Sequence, residues 1–135
     1  MLGLVLDDLG ARGGLAAVEG EVKAKAAKVY NAIDDSGGFY YNGVDKAYRS
    51  QMNAPFRIGT AADGTPGDRA LERAFVEEAA AEAGCHYLFG HPVKGGVRVT
   101  MYVGQTEAAI DAVVAFMKAF AAKHKGAPPQ TWSRL

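Results

Sequence analysis

The sequence predicts an α/β (α+β) sandwich, in which a small, mainly antiparallel sheet of about four strands carries helices on one face. Three observations predict it. Apolar residues make up 49% of the 135 residues, which is enough for the core of one domain. Long segments carry apolar residues at steps of three and four, as amphipathic helices do. Short aromatic or alternating runs lie between these segments and are bounded by glycine-rich turns.

The first half of the chain predicts two helices. Residues 2–9 form a short helix or helix end that is broken at residues 10–14. A longer helix follows, because its apolar residues recur on one side of a helical wheel. That stripe consists of Leu15, Val18, Val22, Ala26, Val29 and Ile33.

The second half predicts two further helices. One runs over residues 66–83, with Pro66 in its first position and Gly84 ending it. The last helix opens at Gln105-Thr106. Its stripe consists of Ile110, Val113, Val114, Met117, Phe120 and Ala121.

Four short segments have strand patterns: residues 39–41, 55–58, 86–89 and 97–102. The order is therefore helix, two strands, helix, two strands, helix, which predicts helices on one face of an antiparallel sheet. This pattern by itself fits a ferredoxin-like binding domain equally well.

Composition excludes several classes of protein. Fifteen basic and fifteen acidic residues leave no net charge that would indicate nucleic-acid binding. No apolar run has the length of a membrane span, and no signal peptide is visible. The single Cys85 allows no internal disulfide, which favours a reducing compartment. Its neighbour His86 suggests a nucleophile pair, but adjacent strand residues face opposite ways, so a core thiol is the preferred interpretation.

The segment Gly90–Arg98 carries the most chemistry. It places His91, Lys94 and Arg98 around a Gly95-Gly96 pair. The glycines allow positive φ and close approach of the backbone, and the arginine offers a planar fork for a carboxylate or phosphate. The spacing alone favours a plain turn or bulge between two strands, while the residue types suit an anionic ligand.

Longer patterns relate this segment to a known family. The run Gly90-His91-x-x-x-Gly95-Gly96-x-Arg98-x-x-x-Tyr102 resembles the C-terminal signature of phosphoserine aminotransferases. Arg49-Ser50-Gln51-Met52-Asn53-Ala54-Pro55-Phe56 is similar to that family's Arg-Ser-x-Met-Asn-x-Pro-Phe segment. Residues 3–6 and 13–19 resemble the region that joins the family's two domains. The matches follow in order from near Met1 to about Lys125.

The resemblance implies the small C-terminal domain of a fold type I enzyme that uses pyridoxal 5'-phosphate. Such enzymes transfer an amino group between 3-phosphoserine and 2-oxoglutarate, in serine biosynthesis, as homodimers. By this resemblance residues 1–14 end the interdomain helix region, 15–125 form the small domain and 126–135 a tail. The family's Schiff-base lysine and most of its cofactor-binding residues precede the matched region. We therefore expect no catalytic, cofactor-binding or metal-binding residue in this chain, which should be inactive alone.

The resemblance assigns substrate contacts to three side chains. Arg98 matches the arginine that holds the substrate's α-carboxylate, and His91 matches a histidine that helps to hold its phosphate. The family usually follows that histidine with an arginine, where this chain has Pro92. We expect Lys94 to supply the missing charge. The alternatives are an edge-strand arginine in solvent, a turn histidine bonded to backbone, and a substrate that is a non-phosphorylated amino acid.

The expected partners are the phosphorylated amino-acid substrate and a missing large domain or second subunit, with no nucleic acid and no membrane. A piece of a longer enzyme would leave an apolar strip uncovered and prone to association. That strip consists of Leu2, Leu4, Val5, Leu6 and Leu9. The competing hypothesis is a stand-alone regulatory module that binds an anion or amino acid without catalysis. The compartment is expected to be cytoplasmic, with a peroxisome-like alternative suggested by Ser133-Arg134-Leu135.

Overall fold

A computed structural model of the chain describes residues 2–61 and 63–126. The predicted tail after Gly126 and the tripeptide Ser133–Leu135 lie outside the described residues. The elements, in chain order, are α1 (Leu2–Ala11), α2 (Gly14–Asp34), β1 (Tyr40–Tyr41), a 3-10 turn (Lys46–Tyr48), β2 (Asn53–Ile58), α3 (Arg69–Ala83), β3 (Phe89–His91), β4 (Gly95–Thr100) and α4 (Glu107–His124).

The four strands form one antiparallel sheet in the order β1-β2-β4-β3. Alternation along the central strands separates two faces, because successive side chains of a strand point to opposite sides. Ala54, Phe56 and Val97 are buried against the helices, whereas Pro55 and Arg98, which pair across the sheet, are exposed. The predicted fold class is confirmed, and one face of the sheet remains open.

An aromatic cluster fills the space between the sheet and the helices. Phe75 of α3 is fully buried, with ring centroids 5.1–6.1 Å from those of its four aromatic neighbours. These neighbours are Tyr40, Phe56, Phe116 and Phe120. The Tyr40 hydroxyl donates to the Met117 carbonyl at 2.7 Å, and burial raises the pKa of that phenol. The cluster thus ties β1, β2, α3 and α4 together.

The start of α3 differs from its prediction. Asp68 caps the helix by accepting from the backbone N–H groups of Ala70 and Leu71, so the helix begins at Arg69. Pro66 lies before the cap and pairs with Thr60 in an isolated bridge. The predicted Pro66 start was therefore wrong, because the aspartate carboxylate is the group that satisfies the first free N–H donors.

The third strand also differs. It covers Phe89–His91 rather than residues 86–89, since Tyr87 has φ +62°, which interrupts an extended strand. Cys85 and His86 are outside the strand, which contradicts their predicted placement. The Cys85 thiol donates to the Ala83 carbonyl at 3.4 Å, and burial raises its pKa, which makes it a poor nucleophile. The fourth strand, β4, begins and ends two residues earlier than predicted.

Helix α1 has no buried residue and packs against α2. Leu2, Leu4, Val5 and Leu6 are exposed, and Leu9 is half-buried. Leu15, which was predicted to join the core stripe of α2, is 85% exposed because it lies in the first turn of that helix, before the first buried position at Val18. In the part of the chain that is described, no helix is both long and apolar enough to cross a membrane.

Candidate functional site

The open face of the sheet carries a cavity of about 820 Å³. The predicted residues His91, Lys94 and Arg98 all line it, together with Arg57. Aromatic side chains, Tyr41, Tyr87 and Phe89 among them, complete much of its wall. No aspartate or glutamate is among the described residues that line the cavity. Its charge is therefore positive, which suits an anion.

A tight hairpin between β3 and β4 forms one side of the cavity. His91 pairs with Gly95, and residues 92–94 make the turn. Gly95 and Gly96 have φ +74° and +85°, a backbone conformation that favours glycine. A Cβ atom on Gly90 would lie 2.6 Å from the carbonyl oxygens of Gly95 and Gly96. The glycines of the motif thus allow the two strands of the hairpin to approach each other closely.

The His91 ring stabilises the turn with one nitrogen. Its Nδ1 accepts from the backbone N–H groups of Val93 and Lys94, both at 3.2 Å. An accepting Nδ1 carries no proton, so a neutral ring has its N–H on Nε2. The residue is exposed and lines the cavity. His91 therefore combines the structural alternative, a turn histidine bonded to backbone, with a second nitrogen available as a donor to a ligand.

Arg98 and Lys94 supply unpaired positive charge. Arg98 lies in the middle of β4, where its backbone N–H donates to the Leu88 carbonyl at 2.9 Å. Both side chains are exposed, and neither has a hydrogen-bond or ion-pair partner within residues 2–61 and 63–126. Arg98 also lines a second cavity of about 390 Å³, beside Cys85 and Ile110. The guanidinium fork is free to bind a carboxylate in two-point geometry.

Two charged residues beside the cavity and its hairpin were missed from the sequence. Arg57 of β2 lines the cavity, and its Nε donates to Oε1 of Glu72, which is only 5% exposed. Glu72 Oε2 accepts from the Gly96 backbone N–H at 2.9 Å. Period-two alternation in residues 53–58 could have found Arg57 on the open face. No local signal marks Glu72, because its contacts depend on how α3 packs.

A pyridoxal phosphate site needs a lysine for the Schiff base and an acid for the pyridine nitrogen. The cavity offers Lys94 alone as a lysine and no carboxylate. The buried Lys25 is bound to the carbonyls of Tyr102 and Gln105 at 3.0 and 2.8 Å. This cavity therefore does not fit the cofactor. The described residues also include no cluster of three histidine, cysteine or acidic side chains able to hold a metal ion.

Known proteins share sequence and fold with most of this chain. No family profile matches the chain. A chloroplastic phosphoserine aminotransferase of Arabidopsis thaliana is 43% identical over 124 residues, which cover 92% of this chain and 27% of the relative. The phosphoserine aminotransferase of Stenotrophomonas maltophilia is 44% identical over 92% of this chain and 32% of its own length. The chain is a homologue of the phosphoserine aminotransferases.

Solved phosphoserine aminotransferase structures share the fold. That of Bacillus circulans subsp. alkalophilus superposes with a TM-score of 0.79 and 37% identity, over 89% of this chain and 31% of that one. A pyridoxal-phosphate-bound phosphoserine aminotransferase from Trichomonas vaginalis superposes with a TM-score of 0.71 and 35% identity, over 83% of this chain and 30% of that one. The chain thus spans about a third of the phosphoserine aminotransferases that it matches.

Proposed function

We propose that this chain is the C-terminal small domain of a phosphoserine aminotransferase and supplies substrate contacts for the exchange of an amino group between 3-phosphoserine and 2-oxoglutarate. One observation carries the proposal. His91, Lys94 and Arg98 line one cavity that has no acidic side chain among its described lining residues. A dianionic phosphate and a carboxylate on the same small molecule are matched by this arrangement.

Arg98 binds the α-carboxylate of the substrate in this proposal. Two parallel N–H···O bonds from a guanidinium fix both the position and the plane of a carboxylate. That constraint orients the Cα–H bond for proton removal, which is how positioning lowers a barrier. The rigid middle of β4, hydrogen-bonded to β2 on one side and to the Leu88 carbonyl on the other, suits this role.

His91 and Lys94 bind the phosphate. His91 donates from Nε2 and Lys94 from its ammonium, because both side chains are exposed at the hairpin and the His91 Nδ1 is already occupied by the Val93 and Lys94 N–H groups. Pro92 stands where the family usually has an arginine, and Lys94 follows two positions later. Lys94 thereby compensates for the lost charge but offers a point charge rather than a fork.

Pyridoxal phosphate acts as the electron sink of this reaction when bound. We assign its binding to the part of the protein outside this chain, because the cavity described above does not fit it. The uncovered apolar side of α1 supports contact with that part or with a second subunit. A cytoplasmic compartment belongs to the same proposal and is supported by the lone Cys85.

Complementation tests the function. A relative from Stenotrophomonas maltophilia is truncated by the third that matches this chain, loaded with pyridoxal phosphate and mixed with the chain. Transamination from 3-phosphoserine to 2-oxoglutarate should appear in the mixture and be absent with either piece alone. The matched control is the chain with Arg98→Gln, which should associate equally but restore little activity. Association without any turnover of 3-phosphoserine or serine would contradict the proposal.

A further inference from the structure

The hairpin that carries His91 and Lys94 rests on the first turn of α3. One carboxylate oxygen of Glu72 accepts a hydrogen bond from the Gly96 N–H, and the other accepts one from the Arg57 Nε–H. Arg69, in the same helical turn, donates from Nη2 to the Val93 carbonyl at 3.0 Å. Two side chains of one helical turn thus bind the hairpin backbone, at Val93 and at Gly96.

The contact surfaces around this support are closely fitted. Additional Cβ atoms would lie 3.2 Å from Glu72 Oε2 if placed on Gly95, and 3.1 Å from Arg57 Cδ if placed on Gly96. A Cβ on Gly67 would lie 2.2 Å from Arg57 Nη2. The glycines therefore let the Arg57–Glu72 pair sit directly beneath the turn. The pair is thus in contact with the Gly95-Gly96 backbone, and Gly95 pairs with His91 across the hairpin.

We propose that Glu72 is a positioning residue for phosphate selectivity: it fixes the Gly95-Gly96 turn so that His91 Nε2 and Lys94 converge on the phosphate, while Arg98 stays independent of it. This inference rests on the proposed function. Arg98 is held by the ladder between β2 and β4 and by the Leu88 carbonyl, none of which involves Glu72. Loss of Glu72 should therefore affect phosphate recognition much more than carboxylate recognition.

The direction in which phosphate affinity changes when Glu72 is substituted distinguishes a positioning role from a simple charge effect. Glu72 is a negative group near a site for a dianion, so removing its charge should by Coulomb's law tighten phosphate binding. Glu72→Gln keeps the shape of the side chain, but glutamine has only one acceptor oxygen. Its NH₂ group must face either the Arg57 Nε–H or the Gly96 N–H, and two donors that face each other form no hydrogen bond. One of the two anchors is then lost. Positioning predicts weaker phosphate binding, opposite to the charge effect.

The experiment uses the ¹⁵N-labelled chain, titrated separately with O-phospho-L-serine and L-serine. In Glu72→Gln we expect about tenfold weaker binding of O-phospho-L-serine, the effect of one lost charge-assisted hydrogen bond, and less than a twofold change for L-serine. Hydrogen exchange of the Gly96 amide should accelerate in the same variant. Glu77→Gln is the matched control, because that exposed glutamate of α3 pairs with Arg73 and with no other side chain among the described residues.

Gly96→Ala is the second variant and displaces the same N–H without altering any charge. It should reproduce the loss of selectivity even if Glu72→Gln does not fold. Three results in the folded variants would overturn the role of Glu72 while leaving the proposed function intact. They are unchanged binding of O-phospho-L-serine, tighter binding of it, and equal weakening for both ligands. A wild-type chain whose His91, Val93 and Lys94 amides do not respond to O-phospho-L-serine would overturn the proposed phosphate site, and this inference with it.

Discussion

Arg98 provides the sharpest test of the carboxylate contact. Arg98→Gln removes the charge and the fork, and Arg98→Lys keeps the charge but can donate only from a single point. The wild-type guanidinium has no partner among the described residues, so neither substitution breaks an existing contact. Both variants should keep wild-type stability within about 0.5 kcal/mol, as exposed substitutions usually do.

The expected magnitude follows from the number of hydrogen bonds lost. Each hydrogen bond to a charged group contributes about 1.5 kcal/mol at the lower end of its range, which suits an exposed site. Arg98→Lys loses one of two bonds, or about tenfold in kcat/KM, and Arg98→Gln loses both, or about 100-fold. The assay is steady-state transamination of 3-phosphoserine by the complemented complex described above.

A second substrate series isolates the group that Arg98 binds. The corresponding substrate without the α-carboxylate, phosphoethanolamine, should react poorly and should be indifferent to Arg98→Gln. Wild-type kcat/KM in Arg98→Gln, with association and unfolding midpoint unchanged, would refute the assignment. An equal loss for substrates with and without the carboxylate would refute it as well, because it would indicate a general disturbance of β4.

Three further predictions concern stability and assembly. Phe75→Ala should lower the free energy of unfolding in urea by about 3–5 kcal/mol, since the side chain is fully buried at the centre of the aromatic cluster, and a loss below 1 kcal/mol would contradict that placement. The Arg49 guanidinium, with Lys46, lowers the pKa of Asp34 from 3.8 to about 2, so this carboxylate stabilises the fold above pH 4 and progressively loses its effect as pH falls through 2. Asp34→Asn should therefore cost about 1 kcal/mol at pH 7, after allowance for solvent screening, and only a small part of that at pH 2, and a loss that is the same at both pH values would exclude this cause. Leu4→Ser should shift sedimentation of the chain towards monomer, and a wild-type chain that is already monomeric at high concentration would argue against an associating α1.

Periodicity was sufficient to predict the elements that surround the core. The stripe of α4 was largely correct, with Ile110, Val113, Met117 and Phe120 buried as expected, because a helix of five turns averages over local exceptions. The central strands β2 and β4 were found for a similar reason, since alternating exposure marks a sheet with one open face.

Element ends that depend on a single residue were not predictable. The third strand begins later than predicted because Tyr87 adopts a left-handed backbone conformation, which the sequence pattern around a tyrosine does not predict. The helix α3 begins at Arg69 rather than at Pro66 because the Asp68 carboxylate caps it, and residue preferences alone did not distinguish a start at Pro66 from a start after Asp68. A sequence motif identified Arg98, His91 and Lys94. Glu72 lies 24 positions before Gly96, and only the tertiary packing identifies it.

The three proposed ligand groups are encoded by eight consecutive residues, from His91 to Arg98. A segment this short could be exchanged with that of a relative as one unit, because Val97 is the only one of its eight residues that is buried in the core. Its support is encoded elsewhere, on α3 and β2. Transfer of residues 91–98 to a relative would therefore carry the three charged groups but not the Arg57–Glu72 pair that contacts the turn. The substrate preference of such a chimera would depend on whether the recipient already has an acid in the position of Glu72.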